Sequence, residues 1–384
     1  MSRVFVCGLG AVSPAGWTVS AFRDALARGE PLPVQYLARP GWEKPLRARL
    51  VPESSPRPAF LTHPRLRRTS PITHYAAAAA LEAVAQLKRN NDPCRRLGVI
   101  VCLQSGCVQY SYRFFDEVLK NPTTASPMLF PETVFAAPTS HVAALLGNTP
   151  LAHTFTGDPA SFLQGVALGV QWLEQNRVEA CVVIGAEETH WLLADALWHL
   201  EHSAVISGGA GALCLSLDPA LSLGVELAAL TDVHPYSARR SRHQAAQDMR
   251  DQLPAAASDE LLCDGRSESP RTNAPEQAAW DDWTGARLSP KRILGEGLMA
   301  AGAWQCVAAA DAVAGGRFLA ANISLVGVNQ HAIGPGWCEP AVFHHEFKNH
   351  SDNGGQRRIG PGHGQGLPAR IVRQPRLARI SHPP

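Results

Sequence analysis

The stretch LAHTFTGDPASFLQGVALGVQWLEQNRVEACVVIGAEE, Leu151–Glu188, decides the fold. Leu151–Phe155 is short and apolar and predicts a strand. Thr156-Gly157-Asp158-Pro159 is a tight polar turn. A helix is predicted from about Ala160 to Gln175, with Phe162, Leu163, Val166, Leu168, Val170, Trp172 and Leu173 covering most of its surface. A helix that is apolar almost all round is buried. After Asn176-Arg177, Ala180–Ile184 reads as a second buried strand, closed by Gly185-Ala186-Glu187. Strand, turn, buried helix and strand make a βαβ unit. Its turn lies at a strand's carboxyl end and a helix's N-terminus, where α/β folds place reactive groups and anions.

The totals limit what surrounds this unit. A chain of 384 residues has room for one large or two medium domains. The formal net charge of +2 calls for neither nucleic acid nor an anionic membrane, and the basic excess is concentrated between Arg357 and Arg379. No apolar run reaches the roughly 18–20 residues of a membrane span. The start, MSRVFVCGLG, is too short for a signal peptide and runs straight into a strand. The nine cysteines lack CxxC or paired spacing, and Cys102, Cys181 and Cys214 sit inside apolar runs. That pattern favours a reducing cytoplasm over disulfides or zinc, and neither metal nor cofactor is expected.

Working outward, Val4–Cys7 predicts a strand, and Gly8 and Gly10 a tight turn before a helix near Thr18. The glycines miss GxGxxG spacing, so a dinucleotide loop is not supported. Pro31 to Pro71, rich in Pro and Arg, reads as a surface excursion. Ile72–Leu87, with Ala76–Ala80, predicts a helix packed closely on a sheet. Leu97–Leu103 and Leu213–Leu217 read as strands, and Tyr110–Leu119, His141–Leu146 and Glu188–His202 as helices. Beyond Leu223–Leu230 come a polar stretch, Asp232 to Asp259, then Leu261-Leu262-Cys263-Asp264-Gly265. The helix Ala301–Val313 and strand Asn322–Val326 follow. Pro335–Pro384 is rich in Gly, Pro, Arg and His, with a composition expected to be disordered.

These segments, in this order, resemble the β-ketoacyl synthases. Gly8-Leu9-Gly10-Ala11-Val12-Ser13-Pro14-Ala15-Gly16 is similar to their N-terminal Gly-x-Gly-x-Val-Ser-Pro-x-Gly. Ile184-Gly185-Ala186-Glu187 resembles the Gly-Gly-Thr-Glu after their nucleophile helix. Ser207–Ala212 resembles Gly-Glu-Gly-Ala-Gly, and Lys291–Gly302 resembles Lys-x-x-x-Gly-His-x-x-Gly-Ala-Ala-Gly. Gly327-Val328-Asn329 resembles the closing Gly-Phe-Gly-Gly-x-Asn. Ser126–His141, with Phe-Pro-Glu-Thr-Val-Phe and Ala-Pro-Thr-Ser-His, is similar to synthase-like proteins of aryl polyene clusters. The resemblance implies an α/β thiolase-like fold of two similar halves. Each half has a five-stranded mixed sheet, in a layered αβαβα arrangement. It divides the chain into residues 1–217, a shortened second half 218–334, and a tail 335–384 that is disordered or out of frame.

The same resemblance locates a site and finds it altered. The nucleophilic Cys falls at or next to Pro159, and no residue from Gly157 to Phe162 is Cys. The two catalytic His positions read Asp264 and Glu296. Lys291 is retained, and its cation is available to pair with Glu296. Condensation needs an activated thiolate and neutral imidazoles, whereas two carboxylates would repel a developing enolate. Ser161 is a substitute nucleophile on paper, but first-turn serines are commonly caps. Asp158-Pro159 reads as a helix cap with Pro in the first turn. Cys107 is read as incidental and His141 as structural. The implied role is a chain-length factor without condensing activity, partnering a catalytic ketosynthase paralogue, or itself, and serving acyl carrier protein. Phe130 and Phe135 would line the acyl tunnel. The alternatives are an active synthase with an unusual nucleophile and a degenerate, truncated synthase.

Overall fold

The computed structural model describes residues 2–340 except 88–95, 148, 254–258, 268 and 328–329. The opening stretch folds as strand Leu151–Thr156, helix Ser161–Glu174 and strand Ala180–Glu187. Six of the seven apolar helix residues named above are buried, with Leu168 half-buried, and only Ala167, Gln171 and Glu174 form an exposed stripe. Burial on nearly every side is what the all-round apolar pattern requires.

Ten strands join into one sheet. In chain order they are β1 (Phe5–Val12), β2 (Leu97–Leu103), β3 (Leu151–Thr156), β4 (Ala180–Glu187) and β5 (Gly209–Ser216). Then come β6 (Val225–Leu230), β7 (Glu260–Cys263), β8 (Ala286–Leu288), β9 (Ala320–Ile323) and β10 (Pro335–Cys338). Across the sheet the order is β8-β7-β9-β10-β6-β1-β5-β4-β2-β3. The first half, β3-β2-β4-β5-β1, therefore recurs as β8-β7-β9-β10-β6. The pairing senses recur too: β2 is parallel to β3 and β4, and β5 is antiparallel to β4 and β1. Likewise β7 is parallel to β8 and β9, and β10 is antiparallel to β9 and β6. The two five-stranded units are joined at one edge, where Phe5 faces Glu226 and Val6 faces Val225.

Helix Met299–Ala314 is the second half's counterpart of Ser161–Glu174. All of its residues but Ala314 are buried, because it packs on β1, β4 and β5 of one half and on β7 and β9 of the other. Helix Pro71–Ala85 packs on β1, β4 and β5 as well. Here the glycine reading is corrected. Gly8 and Gly10 lie inside β1, not in a turn after it. A Cβ there would lie 2.0 Å from the Ala83 carbonyl oxygen and 1.9 Å from that of Ala79. The glycines and the alanine run are two sides of one close approach.

A second correction concerns the end of the fold. Pro335–Cys338 is buried and pairs with both β9 and β6, so the second sheet is completed beyond Gly334. A strand this short, containing Pro and Gly, carries no alternation to read. Residues 341–384, on which the rest of the disorder expectation falls, lie outside the described residues. The Pro- and Arg-rich excursion forms Gln35–Leu37 and Leu46–Arg49, which make a small sheet with Ile206–Ser207. Among the described residues, no helix is long and apolar enough to cross a membrane.

Candidate active site

The carboxyl ends of the parallel strands gather the loops that build the site. At the end of β3 the chain turns tightly, with Gly157 N–H donating to the Leu103 carbonyl at 3.3 Å and Ser161 N–H to that of Asp158 at 2.9 Å. Helix Ser161–Glu174 begins only after this turn, and its cap residue Ala160 makes no side-chain capping bond. Ser161 is not an N-cap; it is buried, its Oγ packed beside the Cα of Gly157. Asp158 caps the turn that leads into the helix, its Oδ1 taking the Ala160 N–H and its carbonyl the Ser161 N–H, and Pro159 lies in that turn. The extra turn pushes the helix start past both.

Asp158 is buried in this turn, 2% exposed. Its Oδ1 accepts from Ala160 N–H at 3.2 Å and its Oδ2 from Gln330 N–H at 3.0 Å. His331 Nδ1 lies 4.0 Å from Oδ1. Burial lowers the His331 imidazole, opposed by Asp158 and by a hydrogen bond to the Ala160 carbonyl. Opposite, Gly327 leaves the carboxylate its room: a Cβ there would sit 1.9 Å from Oδ2. Tyr236 Oη donates to the Gly327 carbonyl at 2.6 Å, and burial chiefly, with Asp158 adding, raises the phenol. The resemblance pointed at or beside Pro159, and the neighbour on its N-terminal side is the buried carboxylate of the turn. Its signal, Asp-Pro before an apolar helix, is the same one that marks an ordinary cap.

Pro159 contributes its backbone. A Cβ on Gly302 would meet its carbonyl oxygen at 2.4 Å, so the turn rests directly on helix Met299–Ala314. One turn along, Gln305 donates through Nε2 to the Ser324 carbonyl at 2.8 Å and borders Gly265. Residues three apart share a helix face, about 5–6 Å from one another. The Asp158 turn and the Asp264 strand end thus stand side by side on one helix face.

Asp264, fully buried, is enclosed by cations. Arg266 Nε lies 2.8 Å and Arg287 Nη1 3.1 Å from its Oδ2, and Ser289 Oγ donates to Oδ1. Beside it, burial and then Asp264 push the Glu276 carboxyl up to about 7, and Glu276 accepts from Gly265 N–H at 3.1 Å. Glu296 is held by Lys291, with Nζ 2.9 Å from Oε2, and accepts from Leu298 N–H at 3.0 Å. Leu298 has φ +49, a conformation that costs a non-glycine residue of order 1–3 kcal/mol. That strain sits where the chain turns into helix Met299–Ala314.

Two more acids escaped the sequence reading. Glu187 is buried and accepts from Gln104 N–H and from the Ser105 N–H and hydroxyl; burial pushes it up to about 8. Glu188, equally buried, accepts from Ser70 Oγ, from Ile72 N–H at 3.1 Å and from Gln109 N–H at 2.6 Å. It therefore ties together the starts of helices Pro71–Ala85 and Val108–Lys120. Cys107 is 1% exposed and its thiol is raised by burial, the opposite of an activated thiolate. His141 pairs with Glu132 at 3.0 Å.

Phe130 and Phe135 are 56% and 45% exposed. Phe130 packs on Phe114 at a centroid distance of 5.5 Å. The Phe135 ring covers Gly106, just past the end of β2. Val134 and Met128 are exposed beside them, and β3, the sheet's outer strand, is itself half-exposed.

A family model described as β-ketoacyl synthase, N-terminal domain, matches residues 1–197. No curated protein sequence matches the chain. Among solved structures, the ishigamide ketosynthase/chain length factor superposes with a TM-score of 0.75 at 18% identity, over 88% of this chain and 99% of that one. A type II PKS acyl-carrier protein in complex with its ketosynthase, AntDE:AntF, gives 0.70 at 15%, over 88% and 99%. The ketosynthase ApeO in complex with its chain length factor ApeC, from Xenorhabdus doucetiae, gives 0.69 at 14%, over 88% and 98%. At such identities the superpositions establish the thiolase-like fold, and the family model goes further. The chain belongs to the β-ketoacyl synthase family.

Proposed function

We propose that this chain is a chain-length factor, the non-condensing partner of a catalytic ketosynthase in polyene or type II polyketide chain elongation. One observation supports the reading: at the positions the resemblance assigns to the catalytic set, at or next to Pro159 and at Asp264 and Glu296, no Cys or His stands, and the carboxylates of Asp158, Asp264 and Glu296 each have their own partners. Acyl transfer needs a thiolate, and the thiol at Cys107 is buried and raised. Enolate stabilisation needs donors without fixed negative charge. The residues present serve packing, and the reaction is left to the partner.

The exposed Phe130, Val134 and Phe135, next to the half-exposed outer strand β3, supply the apolar surface such a partner would cover. Phe130 and Phe135 then line the joint acyl tunnel, and acyl carrier protein delivers the chain to the pair in the cytoplasm. We also read residues 1–217 and 218–338 as the two halves, with the tail beyond them dispensable. The test is reconstitution with the ketosynthase encoded nearest this chain, provided it has an intact Cys and both His. Products should form only when both chains are present and co-purify. A monomer that forms no complex, or product made by the paralogue alone in equal yield and length, overturns the reading.

A further inference from the structure

Two cavities meet at an ion cluster formed by helix Val19–Arg28 and the end of helix Met299–Ala314. Helix Val19–Arg28 buries Val19, Phe22, Ala25 and Leu26, which leaves Arg23 on its flank against Asp311. After helix Met299–Ala314 the chain turns at Gly315-Gly316, with φ +64 at Gly316, and folds back so that Arg317 N–H meets the Ala312 carbonyl at 3.0 Å. Two guanidiniums thereby converge on one carboxylate. Arg23 Nε lies 2.8 Å and Arg317 Nη2 2.7 Å from Asp311 Oδ2. Asp311 is buried, whereas the arginine side chains are 47% and 45% exposed.

Arg23, Asp311 and Arg317 line both cavities. The larger, about 670 Å³, is otherwise lined by Ser20, Glu82 and Gln86 beside Leu9, Val19 and Leu223. The smaller, about 180 Å³, has walls of Leu26, Leu261, Leu288, Ala308 and Phe318. Arg287, which holds Asp264, also reaches that wall. An apolar cavity of about 150 Å³ holds a six-carbon ring, so the smaller one has room for a chain of roughly six carbons. Glu82 spends its oxygens on Ala11 N–H at 3.0 Å and Val19 N–H at 2.8 Å. Arg317 reaches Asp311 through Nη2 alone, so most of its N–H donors have no partner among the described residues. A planar fork of donors beside an apolar pocket is the chemistry that fixes a carboxylate with an apolar tail.

We infer that this cleft binds a small aliphatic carboxylate, its head on Arg23 and Arg317 and a tail of roughly six carbons in the smaller cavity. None of Asp158, Asp264 and Glu296 lines either cavity, so the inference goes beyond the partner role and stands without it.

Hexanoate is the probe, titrated calorimetrically into the full chain, with acetate and 1-hexanol as controls. Hexanoate should bind saturably. Acetate, which lacks the tail, and hexanol, which lacks the charge, should each bind about tenfold more weakly or less. Arg317→Gln removes the fork, and Ala27→Phe sets a ring against the smaller cavity, which Ala27 lines. Both positions are exposed, so both variants should fold, which circular dichroism checks, and each should weaken hexanoate by about tenfold. No saturable binding to the unmodified chain overturns the inference. So does hexanol binding as tightly as hexanoate, or a folded variant of either kind that keeps the affinity, which would put the ligand in another pocket. Reconstitution with the ketosynthase reads the partner role separately, so failure of either leaves the other standing.

Discussion

Removing Lys291 should show what Glu296 is for. The pair is 2.9 Å apart, with side chains 6% and 11% exposed, so water screens it little. Lys291→Met keeps most of the stem among its buried neighbours Ile293 and Leu294 and removes only the charge. Glu296 would then retain Leu298 N–H and lose its cation. Breaking a buried pair from one side costs about 3–5 kcal/mol, because the remaining charge is stranded, whereas removing both ends is often near neutral. Lys291→Met and Glu296→Gln should each destabilise by about 2–4 kcal/mol. The double variant should recover at least ~2 kcal/mol of their sum. Urea denaturation of all four proteins measures this, provided the m values agree. Single-variant costs that add to within about 0.5 kcal/mol would refute a coupled pair and reopen Glu296 as a group free to act on substrate.

Other expectations follow from the same geometry. Glu187, raised from 4.5 to about 8 by burial, keeps a proton in the folded state that the unfolded chain has released. Its contribution, at most about 5 kcal/mol, is full below about pH 4.5 and is lost as pH rises toward 8; Glu187→Gln should flatten that decline, read by urea denaturation across the same pH range. Gly302→Ala places a Cβ 2.4 Å from the Pro159 carbonyl oxygen and should cost about 1–3 kcal/mol in chemical denaturation, while an unchanged midpoint would mean the helix can slide. Intact-mass spectrometry after incubation with acyl carrier protein should find no acyl adduct; one that disappears on Ser161→Ala or Cys107→Ala would restore the enzyme reading. Val134→Asp, at a residue 43% exposed, should leave the fold intact and abolish co-purification with the ketosynthase, so retention of the complex would move the interface elsewhere.

The fold was legible wherever hydrophobic patterning was long and local. The Leu151–Glu188 unit, the alanine-rich helix and the second buried helix all carry such patterns. What the pattern could not show was distance between segments. Gly8 and Gly10 look like turn residues, and only the helix carbonyls, which a Cβ on either would meet at about 2 Å, explain them as strand residues. Strand β10 is defined by its two neighbours in the sheet, not by its own four residues. At the candidate site, family spacing pointed to Asp264, Glu296 and Lys291, whereas the burial of Asp158 could not be read from a turn that also caps. Its partner Gln330 is 172 residues away. Nor did a single sequence show that Arg266 and Arg287 would converge on Asp264. The repulsion expected from bare carboxylates is therefore not what the site presents.

That last point bears on the alternative of a degenerate synthase. A site drifting free of function collects changes singly, and a lone carboxylate in a buried place costs several kcal/mol until something neutralises it. Here Asp264 has two guanidiniums and a hydroxyl. Glu296 has Lys291 and a backbone N–H, and Asp158 has two backbone N–H groups and a glycine that makes room for it. Glu296 is satisfied locally, whereas Arg287 and Ser289 on Asp264, and Gln330 and Gly327 at Asp158, come from segments that sequence adjacency did not supply. The second sheet is also complete through β10, which a chain truncated at Gly334 would lack. Matched charges and a closed sheet support the proposed reading over a degenerate one, because a chain proposed to fold and dock without condensing gains from carboxylates that are already paired.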